Sequence, residues 1–412
     1  MTSQPVQEST VVGIVGAGPA GLMLSHLLSQ SGIDSIAVDT RTRYEIEHTH
    51  RAGVLEQDSV RLLTDTAVDG RVLTHGSEHE GIELRFGGEG HRIDFKHLVG
   101  ASVWLYPQTD VFIDLANARE RDGGDVRFGV RDTRVREVRD QPVIEFVDSD
   151  GVARVVRCDY LVGADGSHSI CRHEIPESLI AQYFKEYPFA WFGIITEAPM
   201  SAAELVYARH DRGFALISQR TEHLQRMYFQ CDPATDPEAW SDEMIWEELQ
   251  TRVSGGGFSL KEGPITEKVV LPFRSFVAEP MRYGRLFLAG DAAHTVPPTG
   301  AKGLNLALQD VRVLAEVLDA AVNLGKTELL ETYGTRALER VWKAQQFSYR
   351  MTTLLHTLPG ETPFDAKRQL GELNSIVTST HGSAHLAESY TGWPTHRATA
   401  TMRDPGRHRA GG

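Results

Sequence analysis

The feature that most constrains this chain lies close to its start. A β-rich run at residues 10–15 passes at once into Gly16-Ala17-Gly18-Pro19-Ala20-Gly21, and then into a helical pattern lasting through Leu28. Strand, glycine turn and helix in that order are the context in which G-x-G-x-x-G carries meaning. Gly16 permits the tight turn, Gly18 lets a pyrophosphate approach the backbone, and Gly21 lets helix and strand pack closely. Ala20 sits in the same turn, among the residues expected to face the ligand. A second strand, at residues 35–38, ends in Asp39, the usual place for a carboxylate that accepts hydrogen bonds from a ribose diol. Together these specify a dinucleotide site on a Rossmann-like segment.

Two further strand ends repeat the design. Residues 158–166 read Cys-Asp-Tyr-Leu-Val-Gly-Ala-Asp-Gly, with Asp165 in the turn. The apolar run Leu286-Phe287-Leu288-Ala289 reads as a buried parallel strand and leads into Gly290-Asp291. A proline-containing loop then opens onto an amphipathic helix starting near Gly300, with Leu304, Leu308, Val311, Leu314 and Leu318 on its apolar face. A helix N-terminus has unpaired N–H groups and partial positive charge, so it suits an anion; the residues alone also fit an ordinary strand–loop–helix connection. Strand ends bearing Gly or Asp converge on one ligand at the carboxyl edge of an open α/β sheet. The first glycine turn leaves FAD and a nicotinamide both open. No second G-x-G-x-x-G provides a separate nicotinamide domain, which favours held FAD with a transient reductant.

The 412 residues suggest two or three domains, and 41% hydrophobic with 24% charged residues is ordinary for a globular protein. A formal charge of −14 argues against nucleic-acid or membrane surfaces as partners, while leaving room for a local basic pocket. Cys158, Cys171 and Cys231 have neither metal-ligand nor disulfide spacing, which suits a reducing cytosol and predicts no metal. The polar start, residues 1–8, lacks the order of a signal peptide, and no apolar run approaches the roughly 18 residues of a membrane span. A cytoplasmic protein is therefore expected. Over residues 187–273, β-branched and aromatic residues alternate with polar ones, predicting a largely antiparallel inserted sheet. Helices rich in aromatic and basic residues are expected over 332–357.

The three glycine and aspartate turns occur together, in this order, in the single-component flavoprotein aromatic hydroxylases, and the chain resembles that family. "RAGVLEQ" at 51–57, "RGFALISQR" at 212–220 and "GDAAHTVPPTGAKGLNLA" from Gly290 narrow the resemblance to members acting on 4-hydroxybenzoate. It extends from residue 10 to 394; the terminal "MRDPGRHRAGG" has no counterpart and reads as a mobile tail. The implied fold is mixed α/β: a Rossmann-like FAD-binding domain over 1–180, with some substrate-domain strand around 78–104. An antiparallel substrate domain follows over 181–274, then a second FAD-binding part with a helical C-terminal segment over 275–395 and a tail over 396–412. The implied reaction hydroxylates 4-hydroxybenzoate beside its phenol to give 3,4-dihydroxybenzoate, using FAD, NAD(P)H and O2 through a flavin C4a-hydroperoxide. A homodimer is usual in similar proteins.

The resemblance also assigns residues. Tyr207 touches the substrate hydroxyl, Tyr390 stands behind it and His79 links the pair to solvent. Tyrosine titrates near about 10 and histidine near about 6.5, so such a row can relay a phenolic proton. The Pro298 carbonyl lies beside the substrate hydroxyl. Arg220 grips the carboxylate, helped by Ser218 and Tyr228, although an arginine in a strand is more often a surface residue. Arg226 governs flavin movement. Asp291 holds a ribityl hydroxyl, Gly303, Leu304 and Asn305 lie against the flavin, and Arg51 and Gln108 make further FAD contacts. Lys302 and the helix N-terminus favour negative charge on reduced flavin, though the residues alone equally allow a solvated lysine. His168 and Arg274 meet the nicotinamide cofactor's phosphates. Thr40 and Glu45 replace an arginine and a tyrosine that favour NADPH in the family, and Thr49 replaces another arginine. NADH is therefore expected to serve at least as well. Alternatives are 4-aminobenzoate or 3-hydroxybenzoate as substrate, a non-hydroxylating FAD-dependent oxidoreductase, or a flavin-binding sensor.

Overall fold

In the computed structural model, residues 4–49 and 53–393 are described. Arg51 and the tail over 396–412 lie outside them. An eight-stranded sheet organises the dinucleotide half. Its neighbours run Arg282–Tyr283, Leu286–Leu288, Ala153–Gly163, Val6–Val15, Ser35–Asp39 and Asp125–Phe128, with Arg131–Arg136 and Val143–Val147 attached beside Ala153–Gly163. The four central pairings are parallel, so the turns after Val15, Asp39, Gly163 and Leu288 open at one edge. The first strand starts at Val6, earlier than its apolar run suggests, because its polar first half pairs with Arg154 to Arg157. Gly16 has φ +103°, and a Cβ on Gly21 would stand 1.9 Å from the Gly16 carbonyl oxygen. The turn therefore admits no side chain where the helix Pro19–Gln30 meets its strand.

A second eight-stranded sheet runs in the order His294–Thr295, Ile265–Glu279, Ala181–Thr196, Leu224–Cys231, Gly213–Thr221, Leu205–His210, Gly81–Phe86 and Glu89–Asp94. Every pairing is antiparallel except Leu205–His210 with Gly81–Phe86. The mixed α/β class with a largely antiparallel second sheet is as the sequence indicates. One element inside 187–273 departs from the alternation. The helix Asp242–Val253 is capped by Ser241 and buries Ile245, Trp246, Leu249 and Val253. These four join Phe192, Met227 and Phe229 in the core on that face of the sheet. Its 3.6-residue period was hidden within a stretch dominated by alternating strands.

The helix expected near Gly300 begins at Gly303 and runs to Leu324. A single tight turn, Pro298–Gly300, precedes it, and Ala301 has φ +52°, which interrupts the helical path. The later helices are Thr332–Leu355, Pro363–Thr378 and Thr380–Thr391; the last carries Tyr390 against the second sheet. Among the described residues, no helix is long and apolar enough to cross a membrane.

Candidate active site

Between the two sheets lies a cavity of about 790 Å³, a size that suits a cofactor with a small substrate. One part of its wall is mostly backbone. Gly16, Gly18, Ala20, Asp39, Thr40, Gln108, Asp165, Asp291, Gly303 and Leu304 line it. Gly21 does not, being consumed in helix–strand packing. The helices beginning at Pro19, Gln108 and Gly303 all present their first residues to this space. A Cβ on Gly18 or on Gly303 would meet no atom within 4 Å, so both leave bare backbone facing the cavity. Asp39 accepts from Ala17 N at 3.0 Å and Arg41 N at 2.9 Å, which fixes its carboxylate at the strand end. Asp165 accepts from Cys171 N at 3.2 Å through one oxygen, while the other is buried without a partner among the described residues. Backbone donors at helix starts beside fixed carboxylates match the phosphates and hydroxyls of a dinucleotide.

The rest of the wall is side chain. Trp191, Tyr207, Leu216, Ser218, Arg220, Arg226, Tyr228 and Leu271 come from the second sheet, and Pro298 from the loop before the Gly303 helix. The hydroxyls of Tyr207 and Tyr390 lie 2.6 Å apart, with both rings buried. Burial pushes both phenols above their ordinary range, so both stay protonated at neutral pH. Arg226 is buried with Nη1 lacking a hydrogen-bond partner among the described residues, and its guanidinium lies 5.2 Å from the Tyr228 ring centre. Burial lowers the pKa of Arg220, and the neighbouring Arg226 charge lowers it further. Two guanidinium groups on one wall favour an incoming carboxylate.

His79 is buried, and neither ring nitrogen has a hydrogen-bond partner among the described residues. Burial also lowers its pKa. The expected row of three is thus a bonded pair of tyrosines and an unbonded imidazole closed off from solvent. Lys302 is neither solvated nor a free charge. It is buried, with Nζ 2.7 Å from Glu56 Oε1 and donating to the Tyr390 carbonyl at 2.8 Å. Arg340 holds the other Glu56 oxygen at 2.9 Å. Burial lowers the Lys302 pKa against the opposing pull of Glu56. Asn305 is likewise bonded within the protein. Its Oδ1 accepts from Glu56 N at 2.9 Å, and Nδ2 donates to Val54 O at 2.8 Å and Ala301 O at 3.0 Å. That amide staples the strand Val54–Glu56 to the loop and is not among the cavity-lining residues.

His168 is exposed at the cavity, whereas Arg274 lies outside its lining, 5.9 Å from the Phe184 ring centre. Glu45 folds back to cap its own short helix, accepting from Thr42 N at 2.7 Å and Thr42 Oγ1 at 2.9 Å. Those bonds, the backbone one first, hold its carboxyl below the usual range. Sequence reasoning passed over Glu56, Arg340, Trp191 and His356. A carboxylate just after the apolar Val54-Leu55 was the one available signal, since a buried charge demands a partner.

A family model described as FAD binding domain matches residues 8–348. The chain is 43% identical over 387 residues to a p-hydroxybenzoate hydroxylase of Acinetobacter baylyi, covering 93% of this chain and 96% of that protein. It is 28% identical over 344 residues to a 3-(3-hydroxy-phenyl)propionate/3-hydroxycinnamic acid hydroxylase of Mycolicibacterium gilvum, covering 79% of this chain and 57% of the relative. A solved p-nitrophenol 4-monooxygenase of Pseudomonas putida superposes with a TM-score of 0.76 at 18% identity, over 94% of this chain and 100% of that one. At that identity the likeness is one of fold.

Proposed function

The chain belongs to the FAD-binding-domain family and is an FAD-dependent aromatic hydroxylase, and from that premise we propose that it converts 4-hydroxybenzoate to 3,4-dihydroxybenzoate. The observation that carries the substrate is the 2.6 Å Tyr207–Tyr390 contact in the same wall as Arg220. A phenol to be activated needs an acceptor for its proton, and a carboxylate needs a cation that can grip it in plane.

In this reading Arg220 binds the substrate carboxylate through parallel hydrogen bonds, with the hydroxyls of Ser218 and Tyr228 beside it. The substrate phenol donates to Tyr207, whose own proton passes to Tyr390. Because burial keeps both tyrosines protonated, they transmit the proton and hold no charge. His79, kept neutral by burial and with neither ring nitrogen bonded to another described residue, is the acceptor proposed next in line. Pro298 faces the same space. The Gly16–Gly21 turn, Asp39, Gln108, Asp165, Asp291 and the start of the Gly303 helix would hold FAD, with Arg226 lining the same cavity. The chemistry that bound FAD, reduced by NAD(P)H, would supply is one oxygen atom of O2 in electrophilic form. Loss of the phenolic proton makes the neighbouring ring carbon the nucleophile for that oxygen. Lys302 acts here through Glu56 and Arg340, bracing the Tyr390 backbone.

Oxygen uptake by the FAD-loaded protein with NADH, across a panel of benzoates with product identification, tests this. Product from 4-aminobenzoate or 3-hydroxybenzoate in preference to 4-hydroxybenzoate would reassign the substrate; NADH oxidation without any hydroxylated ring would remove the hydroxylase. The reading includes NADH serving at least as well as NADPH, supported by Thr40 at the cavity and the acidic Glu45 nearby. Steady-state kinetics with each donor checks it, and a large NADPH preference sinks it. It also includes a cytoplasmic homodimer, with 181–274 as substrate domain between two FAD-binding parts. Light scattering reporting a stable monomer would remove the dimer.

A further inference from the structure

Trp191 lines the cavity beside Tyr207, Arg220 and Tyr228, and the proposed mechanism gives it no part. Its indole is buried, and its N–H donates to His356 Nε2 at 2.7 Å. An indole only donates, so burying it demands an acceptor. His356 directly follows the helix Thr332–Leu355, with Nδ1 2.8 Å from the Thr352 carbonyl. A carbonyl only accepts, so Nδ1 carries the proton and Nε2 is left as acceptor. The imidazole stacks on Phe189 (centroids 4.5 Å, planes 13° apart) and on Phe214 (4.4 Å, 27°), and lies 3° from parallel with the indole. Burial lowers its pKa to about 3, keeping it neutral. The indole itself stacks on Phe214 at 5.2 Å and tilts against Tyr228 at 5.0 Å. The helix end thus sets the orientation of an indole that lines the cavity.

Arg220 and Tyr207 would hold a para-substituted ring at its two ends. A planar grip on the carboxylate reaches the ring only through the rotatable bond between them, yet rotation about that bond decides which edge of the ring meets the oxygen donor. A flat side wall removes the freedom. We propose that Trp191 is that wall, fixing the plane of the substrate ring, and that His356 is a positioning residue acting through it. This rests on the reading of a para-phenolic acid in the cavity.

Coupling, the product formed per NADH oxidised by the FAD-loaded protein with saturating 4-hydroxybenzoate, tests the proposal. Asparagine at 356 can still donate to the Thr352 carbonyl but falls short of the indole; glutamine can reach it. His356→Asn is expected to lower coupling about fivefold, and His356→Gln to stay within about twofold of the unmodified protein. In a Trp191→Phe background, which has no N–H to satisfy, His356→Asn should add nothing further. Equal losses in both backgrounds, or no loss in the unmodified background, would overturn the proposal. If His356→Asn does not retain FAD, His356→Met, similar in length and also without a good acceptor, replaces it in the same comparison. If the unmodified protein forms no 3,4-dihydroxybenzoate, the substrate reading fails instead.

Discussion

The two parts of the cavity wall are made of different material. On the dinucleotide side the surface is backbone, exposed where Gly18 and Gly303 lack side chains and where three helices begin. On the other side it is side chain: Arg220, Tyr207, Trp191 and Tyr228 from the second sheet, backed by Tyr390 from the Thr380–Thr391 helix. Backbone recognition needs only the local path of the chain, so it fits in a contiguous motif. Side-chain recognition needs groups delivered from distant segments, as with Tyr207 and Tyr390, 183 residues apart. The first kind tolerates almost any neighbourhood; the second fails when any one supporting element moves.

Perturbations on the two sides should therefore separate. Arg220→Ala is expected to weaken 4-hydroxybenzoate binding about 100-fold, the scale of losing a charged clamp, while FAD affinity is unchanged. Flavin absorbance titrations report both, and a parallel loss of FAD would erase the distinction between the walls. Gly18→Ala should do the reverse. The new methyl group meets nothing in the apoprotein but would occupy the space proposed for the pyrophosphate. FAD affinity, read by fluorescence quenching, should fall about 30-fold at an unchanged apoprotein melting temperature. In contrast, Gly21→Ala must displace the Gly16 carbonyl and destabilise the apoprotein by about 1–3 kcal/mol.

Tyr390→Phe sharpens the substrate side alone. Hydroxylation turnover should fall about tenfold or more, with 4-hydroxybenzoate affinity nearly unchanged, because the lost hydroxyl lies behind Tyr207. A larger effect on affinity than on turnover would make Tyr390 a binding group and no relay. The smallest effect concerns pH. His79 must be unprotonated to accept, and burial puts its pKa below the usual histidine range. Turnover should thus be flat near neutrality and decline only as the pH falls through that lowered value. A decline already centred above about 6.5 would contradict a buried, neutral acceptor. The same limb should be absent in His79→Asn.

Much of the backbone wall was legible beforehand. The Gly16–Gly21 turn, Asp39, Asp165 and Gly290-Asp291 follow apolar runs whose length and composition announce strands. The helix Asp242–Val253 was missed because alternating strands dominate its surroundings. Lys302 lines the cavity, as a flavin-facing residue would, but the bonds that hold it and Asn305 were not foreseen from their loop motif. Their partners, Glu56 and Val54, lie about 250 positions earlier, and no local pattern expresses a pairing at that separation. His79 carried a role by resemblance that its isolated ring nitrogens do not display directly.

By itself, the sequence determined that a dinucleotide would lie across bare backbone at the ends of parallel strands. Steric rules act within a few residues, and a turn that excludes a Cβ at Gly16 and Gly21 while leaving Gly18 bare has few other uses. Only the tertiary structure decided how the opposite wall is held. Glu56 lies between Lys302 and Arg340, and His356 at a helix end holds the indole of Trp191. Burial makes each of those polar groups require a partner, and the folded chain supplies it from wherever the packing brings one within hydrogen-bond reach.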